Sequence, residues 1–519
     1  IQMLSDVKSN QTIRLSLKNA TDSRLDIGIS PLFTKEESGS HPTHIENIFD
    51  DFEKEILLPH KMSTLGPFLS ASDVNGDGTD DYYVSGAAGQ PGSLMLSQGN
   101  RHTSTAKSVL KADQYCEDLG STFFDADNDG DLDLYVISGG NEFPSNALNY
   151  QDRLYMNNGN GTWVKSTGIP ANVSSNSCVT ALDFDSDGDL DLFVGGRQIA
   201  GKWPFPADSR VLKNDNGVFS DVTKEVAPML SGIGMITDAI ASDVNGDGKD
   251  DLILSGEWMS LKVLLNQGGF YVEASSGLES AIGWWNTLNT VDIDNDGDLD
   301  IMAGNLGLNI KYKASPESPF SVYCHDFDEN GTFDIVLSYY EKGSCFPVRG
   351  RQCSSQQMPF IKNKFPTYGQ FGEATVNDIH GKNLDKALQY HATEFRSGAC
   401  INDGLGNFTF EPFPNEAQIF PVQGIIPMDL NNDGNQDLIM AGNYYNREVE
   451  TTRSDAGIGC VLLGNGDGTF SAMPQTEHGL ALYKDVRDIQ LLQSNESTKL
   501  IAANNNDKVQ IYRLHQPAP

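Results

Sequence analysis

The chain has 519 residues, and 36 Lys and Arg against 71 Asp and Glu leave a net charge of −35. That balance excludes a nucleic-acid binder working by phosphate neutralisation. With 51 Gly, 22 Pro and 38% apolar residues, the composition favours many short strands and turns, and no apolar run is long enough to span a bilayer as a helix.

The chain opens on Ile1 with no apolar leader, which reads as a trimmed portion of a longer product. Residues 31–62 read as a linker with a closing strand, and a nine-residue pattern begins at Asp73 and recurs seven times. The first copy places Asp73, Asn75, Asp77, Thr79 and Asp81 at positions 1, 3, 5, 7 and 9. The second places Asp125, Asp127, Asp129, Asp131 and Asp133 there, and the third Asp183, Asp185, Asp187, Asp189 and Asp191. Next come Asp243, Asn245, Asp247, Lys249 and Asp251, then Asp292, Asp294, Asp296, Asp298 and Asp300. The last two copies are Asp326, Asp328, Asn330, Thr332 and Asp334, and Asp429, Asn431, Asp433, Asn435 and Asp437.

Side-chain oxygens at 1, 3 and 5, a main-chain carbonyl at 7 and a carboxylate at 9 wrap one hard cation, and a Gly at 6 allows the tight turn. The set fits Ca²⁺, about seven ions in all. Mg²⁺ keeps several waters in a rigid octahedron, and transition metals prefer the His or Cys that these loops lack. An EF-hand needs a Glu at position 12, where this chain has Val84, Val136, Val194, Leu254, Ala303, Leu337 and Met440. The loops hold 30 of the 71 acidic side chains, whose mutual repulsion a cation relieves.

A short apolar run such as DLYVISG or DLILSG follows each loop, which predicts a buried strand. Asn/Gly hairpin signatures follow at 154–163, 211–219, 263–270, 400–408 and 461–470. Each unit is then four strands, and four-stranded sheets repeated radially make a β-propeller. The predicted fold is an all-β, calcium-binding propeller over residues 63–515, with eight blades and seven as the alternative. The 34 residues between Asp292 and Asp326 are too few for a blade, so the Asp326 loop is expected to join the outer strands of the blade begun at Asp292. A calcium-free blade is expected within 344–415, interrupted by a partly helical insertion at 345–392. The last unit shows three strands, so an N-terminal strand should complete it and close the ring.

These loops and strands resemble FG-GAP/VCBS repeats, the blade type of the integrin α-subunit propeller. GEWM (256–259), GWWN (283–286), GNLGLN (304–309) and KFPTY (364–368) are similar to the C-terminal propeller of VCBS-repeat proteins that carry an ASPIC/UnbV domain. Residues 10–20 are similar to the tail of that domain, so 1–30 is expected to be its end. The resemblance implies extracellular or cell-surface placement and a binding or assembly role, and brings no established catalytic residue.

The reading is a non-enzymatic, calcium-stabilised recognition, adhesion or assembly module that binds an extracellular protein or glycan or self-assembles, without nucleic-acid binding or membrane insertion. Trp203, Trp258, Trp284 and Trp285 either stack on sugar rings or pack between blades. The segments 141–153, 197–210 and 256–261 should share the face opposite the loops. The alternative is a polysaccharide lyase or hydrolase, for which His325, His380 and His391 are available, though nothing in the sequence places them near a Tyr or Arg. Cys345 and Cys353 either close a short disulfide loop or stand as lone thiols among seven cysteines.

Overall fold

The computed structural model describes residues 30–36, 41–98, 101–495 and 497–515. The tail assigned to 1–30 therefore lies outside the described residues except for Ser30.

Among the described residues, eight antiparallel sheets of four strands form, one of them taking on a fifth, two-residue strand at Gly283–Trp284. Blade 1 contains Leu69–Ser72, Asp81–Val84, Ser93–Gln98 and Arg101–Thr105. Blades 2, 3 and 4 begin at Asp118–Phe124, Ser175–Leu182 and Met235–Ser242, blade 5 at Thr287–Val291, blade 6 at Gly424–Met428 and blade 7 at Val486–Gln493. These seven first strands touch in sequence, and the seventh touches the first, so they line the inside of a closed ring. The eight sheets match the predicted number; seven of them make the ring, and the eighth stands outside this cycle.

Burial follows position in the blade. Every residue of the second strands Asp81–Val84, Asp133–Ser138, Asp251–Met259, Asp300–Gly304 and Asp437–Ala441 is buried, because a neighbouring blade covers each face. Third strands such as Lys262–Asn266 leave their first and fourth residues half-buried, and fourth strands such as Trp163–Lys165 bury only their first residue. The continuous apolar runs seen in the sequence are thus the strands sandwiched on both sides. In blade 7 the outer strand is Phe33–Lys35, which pairs with Gln510–Leu514 in the register Phe33↔Leu514 to Lys35↔Tyr512. Both ends of the described chain meet in one sheet, which leaves the ring without a free edge there.

The eighth sheet corrects two expectations. Its strands Phe320–His325, Asp334–Glu341, Ser344–Pro347 and Leu388–Ala392 lie in the connection between the second and third strands of blade 5. The Asp326 loop joins the first two strands of this inserted sheet. Blade 5 is completed far downstream by Gly398–Asn402, paired with residues 301–303, and by Phe408–Pro412. No separate blade therefore forms from 344–415, whose strands are divided between the inserted sheet and blade 5. Four short helices, Arg351–Gln357, Ile361–Lys364, Tyr368–Gly372 and Val376–His380, fill the insertion. Thr367 and Thr375 close capping boxes on the last two, and Met358, Ile361, Phe371, Val376 and Ile379 pack on Tyr323, Phe327 and Val336 of the sheet.

The inserted sheet roofs one face of the ring. Its Phe320, Val322, Ile335 and Leu337 share a core with Trp203, Trp258 and Trp284 from the ring and with Leu57, Leu58 and Met62 from the N-terminal segment.

Candidate metal centres

All seven loops fold on one hydrogen-bond plan. The Asp at position 1 accepts the main-chain N–H of the Gly at 6, from 2.7 Å at Gly78 to 3.1 Å at Gly188. The residue at 5 accepts from the N–H at 7, as Asp129 does from Asp131 at 3.0 Å. That course requires a positive φ at both 4 and 6. Gly, Asn, Ser or Glu takes φ of 58 to 72° at position 4, and Gly takes 81 to 99° at position 6.

The Asp at 9 is fully buried in every loop. Its Oδ2 accepts the N–H of position 2, for example Ala126 to Asp133 at 3.0 Å. In the six ring loops its Oδ1 accepts an N–H from the third strand of the same blade, such as Asn157 to Asp133 at 2.7 Å. Burial pushes Asp81, Asp133, Asp191 and Asp334 up to about 7, and Asp251 and Asp300 to about 6, with neighbouring carboxylates adding to the rise.

In four loops three carboxylate oxygens converge within 4.8 Å: Asp125, Asp127 and Asp133; Asp183, Asp185 and Asp191; Asp292, Asp294 and Asp300; Asp326, Asp328 and Asp334. In the other three loops position 3 is Asn75, Asn245 or Asn431, which replaces one carboxylate with an amide oxygen. One oxygen at position 3 of each convergent loop, Oδ1 of Asp127, Asp185, Asp294 and Asp328, is buried without a hydrogen-bond partner. A buried, unbonded carboxylate oxygen costs several kcal/mol, and the same atom recurs in four loops. The donors are all oxygen and the orphaned atoms belong to the clusters, so these residues fit a small hard cation.

Side chains at position 7 tie adjacent loops together. Asn128 Nδ2 donates to Asp189 Oδ1 at 2.7 Å, and Asn295 Nδ2 to Asn435 Oδ1 at 3.0 Å. The six ring loops therefore sit side by side on one face. The seventh, at 326–334, lies with the roof, where Phe333 meets Phe205 at 4.9 Å between ring centroids.

One set of residues was hidden among the hairpin turns. Asn157, Asn214, Asn266 and Asn402 each donate their main-chain N–H to position 9 of their own blade. Their Nδ2 donates to the position-2 carbonyl of the preceding blade, Val74, Ala126, Phe184 and Val244, at 2.8 to 3.0 Å. An Asn before a Gly turn has an obvious local use in the sequence, and only the blade repeat itself hinted at this second one.

The tryptophans correct the expected binding face. Trp203, Trp258, Trp284 and Trp285 are exposed by 1, 5, 2 and 0%, and Trp258 stands edge-on to both Trp203 and Trp284. The inserted sheet covers the first three, and Trp285 belongs to the core between blades 4 and 5. The segments 141–153, 197–210 and 256–261 do share the face opposite the ring loops, but under the N-terminal segment. Asn141 Nδ2 donates to Asp51 and Glu55 at 2.9 Å, Trp203 N to Glu55 at 2.8 Å, and Arg197 Nη2 to Glu257 at 2.6 Å. Of the histidines, His325 and His380 both pack on Phe327, burial lowers His380 to about 4, and His391 is exposed. All seven cysteines are free thiols, Cys353 donating to Glu450 Oε1, so the optional 345–353 disulfide is not formed.

The inner strands enclose a channel of about 420 Å³ that reaches from Thr237, Asp238 and Asn286 down to Asp250 in the fourth loop. Asp238 Oδ2 accepts from Leu288 N of the next blade, and Asp488 Oδ2 from Leu69 N, both at 2.8 Å.

The FG-GAP-like repeat pattern matches residues 73–136, 125–194 and 243–303, each match beginning at the first Asp of one of the nine-residue loops. No curated protein sequence matches the chain. Among solved structures, similarity extends to the V. cholerae biofilm matrix protein Bap1, 11% identical over 93% of this chain and 92% of that one, with a TM-score of 0.39. It also extends to YCF48 from Cyanidioschyzon merolae, 10% identical over 89% and 98%, TM-score 0.40, and to BBS1N in complex with ARL6DN, 10% identical over 88% and 95%, TM-score 0.39.

Proposed function

We propose that this protein is a non-enzymatic, calcium-stabilised module of extracellular or cell-surface recognition, adhesion or assembly, akin to the propellers of VCBS-repeat proteins with an ASPIC/UnbV domain. Its ligand is a protein or a glycan, or a further copy in an assembly. The observation that carries the reading is the arrangement of six oxygen-donor loops side by side on one face of a closed ring, with the other face roofed. A rigid ring presenting loops is a platform for binding, and calcium in those loops would fix the surface that a partner meets. This moves the contact face from the roofed tryptophans to the loops, so calcium acts on binding directly as well as through stability.

The test is binding to protein and glycan arrays in calcium and in EGTA, with a parallel screen for polysaccharide breakdown. Binding that needs calcium at temperatures where the EGTA-treated chain is still folded supports the reading. Product release from a polysaccharide would overturn it.

A further inference from the structure

The six ring blades that carry a loop share one more position, the residue just before the one whose N–H meets position 9. In five of them it is apolar: Leu96, Met156, Leu265, Ile401 and Leu463. All five are half-buried, and in two blades this side chain and position 3 of the blade's own loop flank the same turn glycine. A Cβ placed on Gly217 would meet both Asp127 and Met156, and one on Gly468 both Asp294 and Ile401. In blade 3 the residue is Lys213, also half-buried. Its Nζ donates to Asp185 Oδ2 and, at 2.9 Å, to Asp187 Oδ2, which are positions 3 and 5 of the third loop.

We propose that Lys213 is a built-in counter-ion that makes the third loop the weakest calcium site of the three ring loops with Asp at every ligand position, filled only at calcium concentrations well above those that fill the loops at 125–133 and 292–300. The inference rests on the metal reading of the loops. By carboxylate count the third loop equals those two, each having Asp at positions 1, 3, 5, 7 and 9. A calcium ion entering it must either expel the ammonium, breaking two charge-assisted hydrogen bonds, or sit beside a like charge. Both routes lower affinity and leave the site usable, because a lysine stem swings aside without moving its strand. Of the three ring loops with Asp at all five positions, those at 125–133 and 292–300 then act as standing structural sites, and the third reports the calcium level.

The experiment is calcium equilibrium dialysis of the metal-stripped full chain, with Lys213→Met and the reciprocal Met156→Lys. Melting in excess calcium establishes that each variant is folded. The wild type should show one site weaker than its matched loops. Lys213→Met should tighten that site about tenfold or more, and Met156→Lys should weaken one of the tight sites similarly. If the loops bind calcium but Lys213→Met leaves every affinity unchanged, the counter-ion role is overturned and the metal reading stands. If no variant takes up calcium, both fall together.

Discussion

A tryptophan with almost none of its surface exposed holds a fold together rather than a ligand. Trp203 and Trp258 stand between the ring and the inserted sheet, so Trp203→Ala or Trp258→Ala should cost about 3–5 kcal/mol in denaturant unfolding; unchanged stability would mean that the roof is not packed. The channel carboxyls Asp238 and Asp488 make a second prediction. Burial raises Asp238 to about 6 and Asp488 to about 8, whereas in the unfolded chain both ionise near pH ~4. Between those values the folded chain binds more protons, so this stabilisation is complete at low pH and is lost as pH rises through the folded values. With the loops saturated in calcium, the melting temperature should therefore fall between about pH 4 and about pH 8 on this account. Asp488→Asn should make the fall towards pH 8 shallower, with buried Glu46, at about 8, and Glu142, at about 7, supplying part of what remains, as followed by scanning calorimetry; an unaltered profile would show that Asp488 ionises normally.

Among the elements, legibility tracked burial. The second strands could be read because sandwiching by two blades writes an unbroken apolar run, while the fourth strands, open on one face, carry little pattern. The nine-residue loops could be read position by position because each repeats the same turn and oxygen-donor pattern, which admits few side chains. What the loop pattern lacked was membership: Asp326 heads a good loop, but nothing in nine residues tells which sheet it serves, and strand pairing placed it in the insertion. The tryptophans were ambiguous for a related reason, since an aromatic at the end of a second strand looks the same whether bare or roofed. At this scale Asp125→Ala should remove one ion and loosen chiefly blade 2, because blades contact their neighbours. Hydrogen exchange should rise in Asp118–Phe124 and Asp133–Ser138 while blade 6 stays protected. Uniform loss of protection would point to a ring that melts as one unit.

For the whole molecule, the strand pairing at 33–35 with 510–514 and the roof supplied by the insertion make one closed body, in which most ring interfaces include an acidic loop. A chain at −35 gathers much of its charge on these loops, and a cation there would offset the buried position-9 carboxylates and the orphaned position-3 oxygens together. The most direct measurement is the calcium content of the folded, metal-stripped full chain after equilibrium dialysis against millimolar calcium. The motif set predicts about seven ions per chain, the third-loop ion binding after those at 125–133 and 292–300; two or fewer in a correctly folded sample would contradict it.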